Sequence, residues 1–289
     1  MQRVYAALLS SVALASGIAC TDSKPASSAN RIAEVAGQVR SGNVDHALGV
    51  MPKDSALVSL SHAAGGGDGT VYRPTRDTAA LHVGAIVGRI GTNATVSGDT
   101  AIVPTHDLGV CQPFTEALLP SAKGGVGDAI VWVVGVETGP LQEAPRRAEL
   151  TLDRCRLDPR VQRVAQGATL MITSRDAMMS RLRFVDLAHE ATVRATTLLN
   201  DKGQVVPTSD VAALAGLVEV RDDLHPWVRG YIAVAPHPFV AVTEPDGIFR
   251  FDGVPPGSYT LVVWQEKLGV RTRAIRVSSG VETRVSIEY

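Results

Sequence analysis

From residue 83 onward, short runs of alternating apolar and polar side chains are separated by corners rich in glycine and proline. Such a rhythm admits little besides layered β-structure, because alternation gives each strand one apolar and one wet face. The alternating runs are Ala148–Leu152, Thr169–Thr173 and Arg181–Val185, while Val83–Ile90, Leu217–Val220 and Tyr231–Val234 are further β-rich segments expected to complete the set. Asp128–Gly135 is apolar throughout, which predicts a strand buried on both faces. The last segment alternates strand and corner: Phe239–Thr243, the turn Glu244-Pro245-Asp246-Gly247, Ile248–Phe251, the corner Val254-Pro255-Pro256-Gly257, then Tyr259–Trp264. Strands near Val270–Val277 and Thr283–Glu288 follow, and this segment reads as a small antiparallel sandwich. Beyond residue 85 no helix longer than a turn or two is expected, except near Asp210–Leu214. The expected fold class is all-β.

The first 82 residues are of another kind. Arg3 precedes an apolar, small-residue stretch from Val4 to Ala19, the pattern of a secretion signal in residues 1–20. Cleavage after Ala19 would leave Cys20 first, in the place of an acylated lipobox cysteine, although Gly17 stands where an aliphatic residue is usual. The expectation is an exported lipoprotein held on a membrane through Cys20; the alternative is a secreted protein with an incidental cysteine. Residues 21–82 read as a flexible linker, with a short helix expected at Asn30–Val39 capped by Asn30. The run Gly65-Gly66-Gly67-Asp68-Gly69 lacks a following Gly-Lys-Ser/Thr, so it is no phosphate cradle.

A net charge of −1 gives no electrostatic footprint for nucleic acid. Of the three cysteines, lipid on Cys20 leaves Cys111 and Cys155 as an even pair in an oxidising compartment, where a disulfide is expected. The alternative is that each is a small buried hydrophobe.

Two segments resemble a known family. One is His225-Pro226-Trp227-Val228-Arg229-Gly230-Tyr231-Ile232 with His237-Pro238-Phe239. The other is Asp246-Gly247-Ile248-Phe249-Arg250-Phe251 with Pro255-Pro256-Gly257-Ser258-Tyr259 and Val263-Trp264-Gln265-Glu266. Together with Val131–Val136 and Arg154–Val161, they resemble bacterial envelope proteins that join a cupredoxin-like (plastocyanin-like) domain to a carboxypeptidase-regulatory-like module of carbohydrate-binding-like fold. The resemblance implies a cupredoxin-like β-sandwich over 83–235 and a small β-sandwich module over 236–289.

In that family a blue-copper site takes two imidazoles, one thiolate and a weak axial thioether. This chain has Ser180 at the expected histidine, Asp222 at the expected cysteine and Val228 at the axial methionine, while His225 remains. Gln265 stands where the family has a further histidine. No cofactor is expected. The alternative is a metal-binding protein related to electron-transfer cupredoxins, holding copper through unusual ligands or a harder divalent ion around His225, with Asp222 and His237 or His189 as candidate ligands. No Gly-x-Ser-x-Gly elbow or His-Glu-x-x-His helix is present, so no enzyme is expected. Trp132, Trp227 and Trp264 are expected to fill sandwich cores. The functional expectation is a non-catalytic envelope module with a glycan or protein partner.

Overall fold

The computed structural model describes residues 71–77, 81–93, 99–141, 145–187 and 193–289. The expected signal, Cys20, the expected Asn30–Val39 helix and the glycine run lie outside the described residues.

The chain begins with β1 (Arg73–Thr75), β2 (Gly84–Gly91), β3 (Asp99–Ile102), β4 (Phe114–Ala117), β5 (Ile130–Val134) and β6 (Thr138–Pro140). Then come β7 (Arg147–Asp153), β8 (Arg156–Asp158), β9 (Val161–Ala165), β10 (Thr169–Ser174), β11 (Ser180–Asp186) and β12 (Val193–Leu199). The chain continues with β13 (Val205–Thr208), β14 (Gly216–Asp222), β15 (Arg229–Ala235), β16 (Val240–Val242) and β17 (Ile248–Val254). It closes with β18 (Gly257–Gln265), β19 (Gly269–Val277) and β20 (Glu282–Glu288). The expected helical spot is one 3-10 turn, Asp210–Ala212. The all-β expectation holds.

Four sheets stack face to face. In the first sandwich the sheet β13-β10-β7-β8 faces β12-β11-β14-β15-β9, and in the second β16-β5-β18-β19 faces β17-β2-β20. Alternation places the side chains. Leu182, Phe184, Val218, Val220, Ile232 and Val234 enter the first core against Leu150, Leu152, Leu170 and Ile172. Leu217, Tyr231 and Ala233, from the opposite face of the same strands, meet Ile130, Trp132, Val262 and Trp264 of the next sheet. Val131, Val133, Leu261 and Val263 then turn to the last core with Ile86, Phe249 and Phe251. All five residues of β5 are buried because that strand lies between two cores, as its unbroken apolar run predicts. Trp132 and Trp264 fill the middle layer, and Trp227 packs part-buried on the first core.

The strand partners differ from the expected division in three respects. A boundary at 235/236 separates strands that are hydrogen-bonded to each other. β2 pairs with β17 and β20, and β5 pairs with β16 and β18, so the second sandwich takes strands from both ends of the described chain. Alternation fixes which face of a strand is apolar but not which strand it pairs with. Residues 73–75, inside the expected linker, form β1 alongside β6. The second sandwich is also not purely antiparallel, since β2 and β20 run parallel. The Glu244–Gly247 corner forms as expected: the Gly247 amide donates to the Glu244 carbonyl at 2.8 Å and Gly247 takes a φ of 76°.

A charged node joins the two sandwiches. Arg160, between β8 and β9, pairs with Glu266 beyond β18, lies 4.0 Å from Glu116 of β4, and sits over the Tyr231 ring. Burial pushes the nearby Asp128 carboxyl up to about 6; the Arg160 charge opposes this, while Glu266, Glu244 and Glu116 add to it. A carboxyl raised in the fold contributes stability at low pH that is lost as the pH climbs through about 6. Asp128→Asn is therefore expected to raise stability at pH 7 by roughly 1 kcal/mol, discounted for partial exposure. Asparagine tolerates the left-handed φ of 52° at this position. Urea unfolding at neutral and mildly acidic pH checks this: the gain should shrink as the pH falls.

Candidate functional site

The residues at the expected ligand positions converge at one end of the first sandwich. Ser180 opens β11, Asp222 closes β14, and the short β14–β15 connection carries His225. Leu182 is the cross-strand partner of Asp222, which sets Ser180, Leu182 and Asp222 on the inward face. Ser180, Asp222, His225 and Val228 are all buried.

Asp222 organises the loop. Its Oδ1 accepts the Arg181 amide at 3.1 Å and the Leu224 amide at 2.9 Å, and its Oδ2 lies 2.8 Å from His225 Nδ1. The Val228 amide then donates to the His225 carbonyl at 2.9 Å, closing the turn. On the far side of the ring, His225 Nε2 lies 2.8 Å from Asp107 Oδ2. Asp107 comes from the segment between β3 and β4 and has a φ of 51°. Its carbonyl accepts the Val110 and Cys111 amides, each at 2.8 Å. That turn leads directly into Cys111, which is bonded to Cys155 across a Cα–Cα distance of 5.6 Å. The expected pairing is thus formed, and it holds the Asp107 turn against the sandwich. Asp107 is a site residue the sequence reading missed, since it belongs to no motif.

The imidazole is therefore held between two carboxylates, one buried and one half exposed. Burial alone would lower the His225 pKa, but its hydrogen bonds to Asp107 and Asp222 outweigh that, and the net shift is upward. With both ring nitrogens protonated, each donates to a carboxylate. The ring also meets Trp227 edge-on, with centroids 5.3 Å apart.

This donor set does not fit blue copper. Both sulfurs of the Cys111–Cys155 pair are bonded to each other, Val228 packs into the first core, and Ser180 and Asp222 offer only hard oxygens. Both imidazole nitrogens are already taken by carboxylates. Among the described residues, no group of three or more His, Cys, Asp or Glu is arranged to hold a metal ion. Met178 is buried against the disulfide, its sulfur 3.5 Å from Cys111 Sγ and 3.7 Å from Cys155 Sγ, while Met179 is exposed. The Ser180 hydroxyl is fully buried without a hydrogen-bond partner among the described residues.

His237 does not join this site. It packs between Tyr72 and Phe239 and accepts the Phe239 amide at 3.2 Å. Burial, helped by the Arg163 charge, pushes its pKa down to about 4, so it is a neutral core imidazole at physiological pH. His189 lies outside the described residues.

Residues 229–285 match the family model described as polysaccharide lyase family 4, domain II. Comparison with curated proteins gives no match. Among solved structures, a reduced amicyanin variant is 19% identical, covering 30% of this chain and 81% of its own, with a TM-score of 0.27. A purple cupredoxin from Nitrosopumilus maritimus is 18% identical, covering 30% of this chain and 99% of its own, with a TM-score of 0.27. A copper-containing nitrite reductase from Thermus scotoductus SA-01 is 17% identical over 37% of this chain and 25% of its own, with a TM-score of 0.28. Overlap of this extent carries no inference about activity.

Proposed function

We propose that this chain is a non-catalytic binding module of the cell envelope, exported and held on a membrane by lipid on Cys20, that presents stacked β layers to a glycan. The observation that carries the reading is the closed Asp107–His225–Asp222 link. The place where a cupredoxin would hold its metal is spent on tying two loops together, so the binding surface lies elsewhere on the molecule. The cupredoxin-like reading of the first sandwich is supported by the His225-Pro226-Trp227 segment and by Ser180, Asp222 and Val228 falling together at one end of it. The glycan reading is supported by the match of residues 229–285 to a domain of a polysaccharide lyase. The carboxypeptidase-regulatory-like reading of the last strands rests on the Pro255-Pro256-Gly257 corner and its neighbours.

The test is made on the full chain purified without chelator. Copper and zinc are expected to be substoichiometric, and adding either is expected to leave thermal unfolding unchanged. Radiolabelled palmitate should enter the wild-type chain and be lost in Cys20→Ser, and a glycan array should retain the protein. Stoichiometric metal would overturn the metal-free reading, label persisting in Cys20→Ser would overturn the anchor, and an empty array would overturn the glycan reading.

A further inference from the structure

On its face away from the first core, the sheet β12-β11-β14-β15-β9 is only partly covered by the second sandwich. Leu217, Tyr231 and Ala233 are covered there. The neighbouring rows are not. Cross-strand register sets Arg183 of β11 opposite Arg221 of β14, and Arg221 opposite Arg229 of β15. Three arginines thus stand in one row across three strands whose backbones lie roughly 4.8 Å apart. Arg181 stands two residues along from Arg183 on the same face. The four side chains are between 43% and 53% exposed.

Like charges directly opposite one another destabilise a sheet, and a surface that serves only solubility intersperses its signs. Here the repulsion is contained by two carboxylates. Asp223 takes Arg181 at 2.9 Å and also Arg183; Glu219 takes Arg229 at 3.2 Å and also Arg221. Four positive groups against two negative ones leave this cluster with a net charge of plus two. Each guanidinium carries five donors in a planar fork, and the described contacts to the two carboxylates use a single nitrogen of each. The pairs hold the forks in place and leave terminal nitrogens to an incoming group; the Arg183 Nε is buried and is not among them.

We propose that the Arg183–Arg221–Arg229 row, extended by Arg181, is the docking surface for a carboxylate-bearing polysaccharide. The proposal rests on the glycan reading above and names the class of glycan and the face that takes it. A planar carboxylate matches the guanidinium fork in two parallel hydrogen bonds, where a lysine row would offer only point charges. The row is linear and lies on an open sheet face, which suits an extended polymer with one acid group per sugar. A continuous anionic lipid surface suits it less, because Asp223 and Glu219 stand among the arginines and offset half of their charge.

The full chain is tested by affinity electrophoresis and calorimetry against polygalacturonate, neutral dextran and phosphatidylglycerol vesicles. Polygalacturonate is expected to bind, and added salt to weaken it. The Arg221→Gln/Arg229→Gln double variant is expected to lose roughly tenfold or more in affinity; because it leaves the buried Glu219 without these two partners, binding is read at a temperature where circular dichroism shows the variant folded. Arg221→Lys/Arg229→Lys, which keeps the charge and loses the fork, should fall between the two. Arg273→Gln/Arg276→Gln on β19, an equal charge change at exposed positions, should bind as the wild type does. Equal polygalacturonate binding by wild type and Arg221→Gln/Arg229→Gln overturns the proposal, as does retention on vesicles without retention on polygalacturonate. If dextran and polygalacturonate bind alike, whatever the arginines, the proposal fails and the glycan reading stands. If no glycan is retained, both fail.

Discussion

Replacing Cys155 with serine is expected to cost the fold about 4 kcal/mol, the loop-closure value for a cross-link spanning a few tens of residues. The bond joins positions 44 apart, so its loss frees a long stretch of the unfolded chain. The local native geometry has its own support and should survive. The Arg154 and Cys155 amides donate to the buried Asp176 carboxylate at 2.8 and 2.7 Å, and Met178 closes over the sulfur pair. The effect should therefore appear mainly as a lower unfolding midpoint, with little change in the folded spectrum. Guanidinium unfolding of oxidised wild type, reduced wild type and Cys155→Ser measures it. The last two should agree, and a cost below about 1 kcal/mol would show that the bond restrains little.

The second large effect is centred on His225. Its removal leaves the Asp222 carboxylate buried without its ring partner, and breaking a buried pair from one side costs about 3 kcal/mol. The Arg181 and Leu224 amides that also serve Asp222 place the loss toward the low end of such values. The effect depends on pH with a definite sign. Burial works against the charged ring, but Asp107 and Asp222 raise its pKa above the ordinary value. Stability from this link is fully present below about pH 6.5, the unfolded imidazole value, and is lost as the pH rises through the higher folded value. Above that point the neutral ring has one proton to share between two carboxylates. His225→Ala should thus destabilise most in mildly acidic solution, and its stability profile should lack the decline that the wild type shows on the alkaline side. Unfolding midpoints from about pH 5 to pH 9 make the comparison. Parallel profiles for variant and wild type would contradict this account.

Much of the fold is legible in the sequence because strand periodicity is a local property. The unbroken apolar run at 130–134 announces a strand between two cores, and it is one. The Glu244–Gly247 corner was also readable, since its turn needs glycine at a positive φ. Partner choice is different. Nothing within Val83–Ile90 says that it will lie beside residues 282–288 rather than beside its sequence neighbours. The same limit applies at the site. Ser180, Asp222 and His225 could be placed through short motifs, and they do meet. Asp107 could not, because it reaches His225 across 118 positions through a turn with no signature. The arginine row was hidden in another way. Each arginine occupies an ordinary outward position of its own strand, and only the register of three strands aligns them.

The parallel pairing of β2 with β20 has a consequence for how the molecule is made. Seven consecutive residues, Ala85 to Gly91, are matched against Glu282 to Glu288. The strands that build the first sandwich all lie between these two and pair among themselves, so that unit can assemble while later residues are still emerging. The second sandwich cannot. Its earliest strand must wait, one edge unsatisfied, for a partner nearly two hundred positions later. Growth and completion therefore run in opposite orders for β2, an early strand whose second edge is among the last to be sealed.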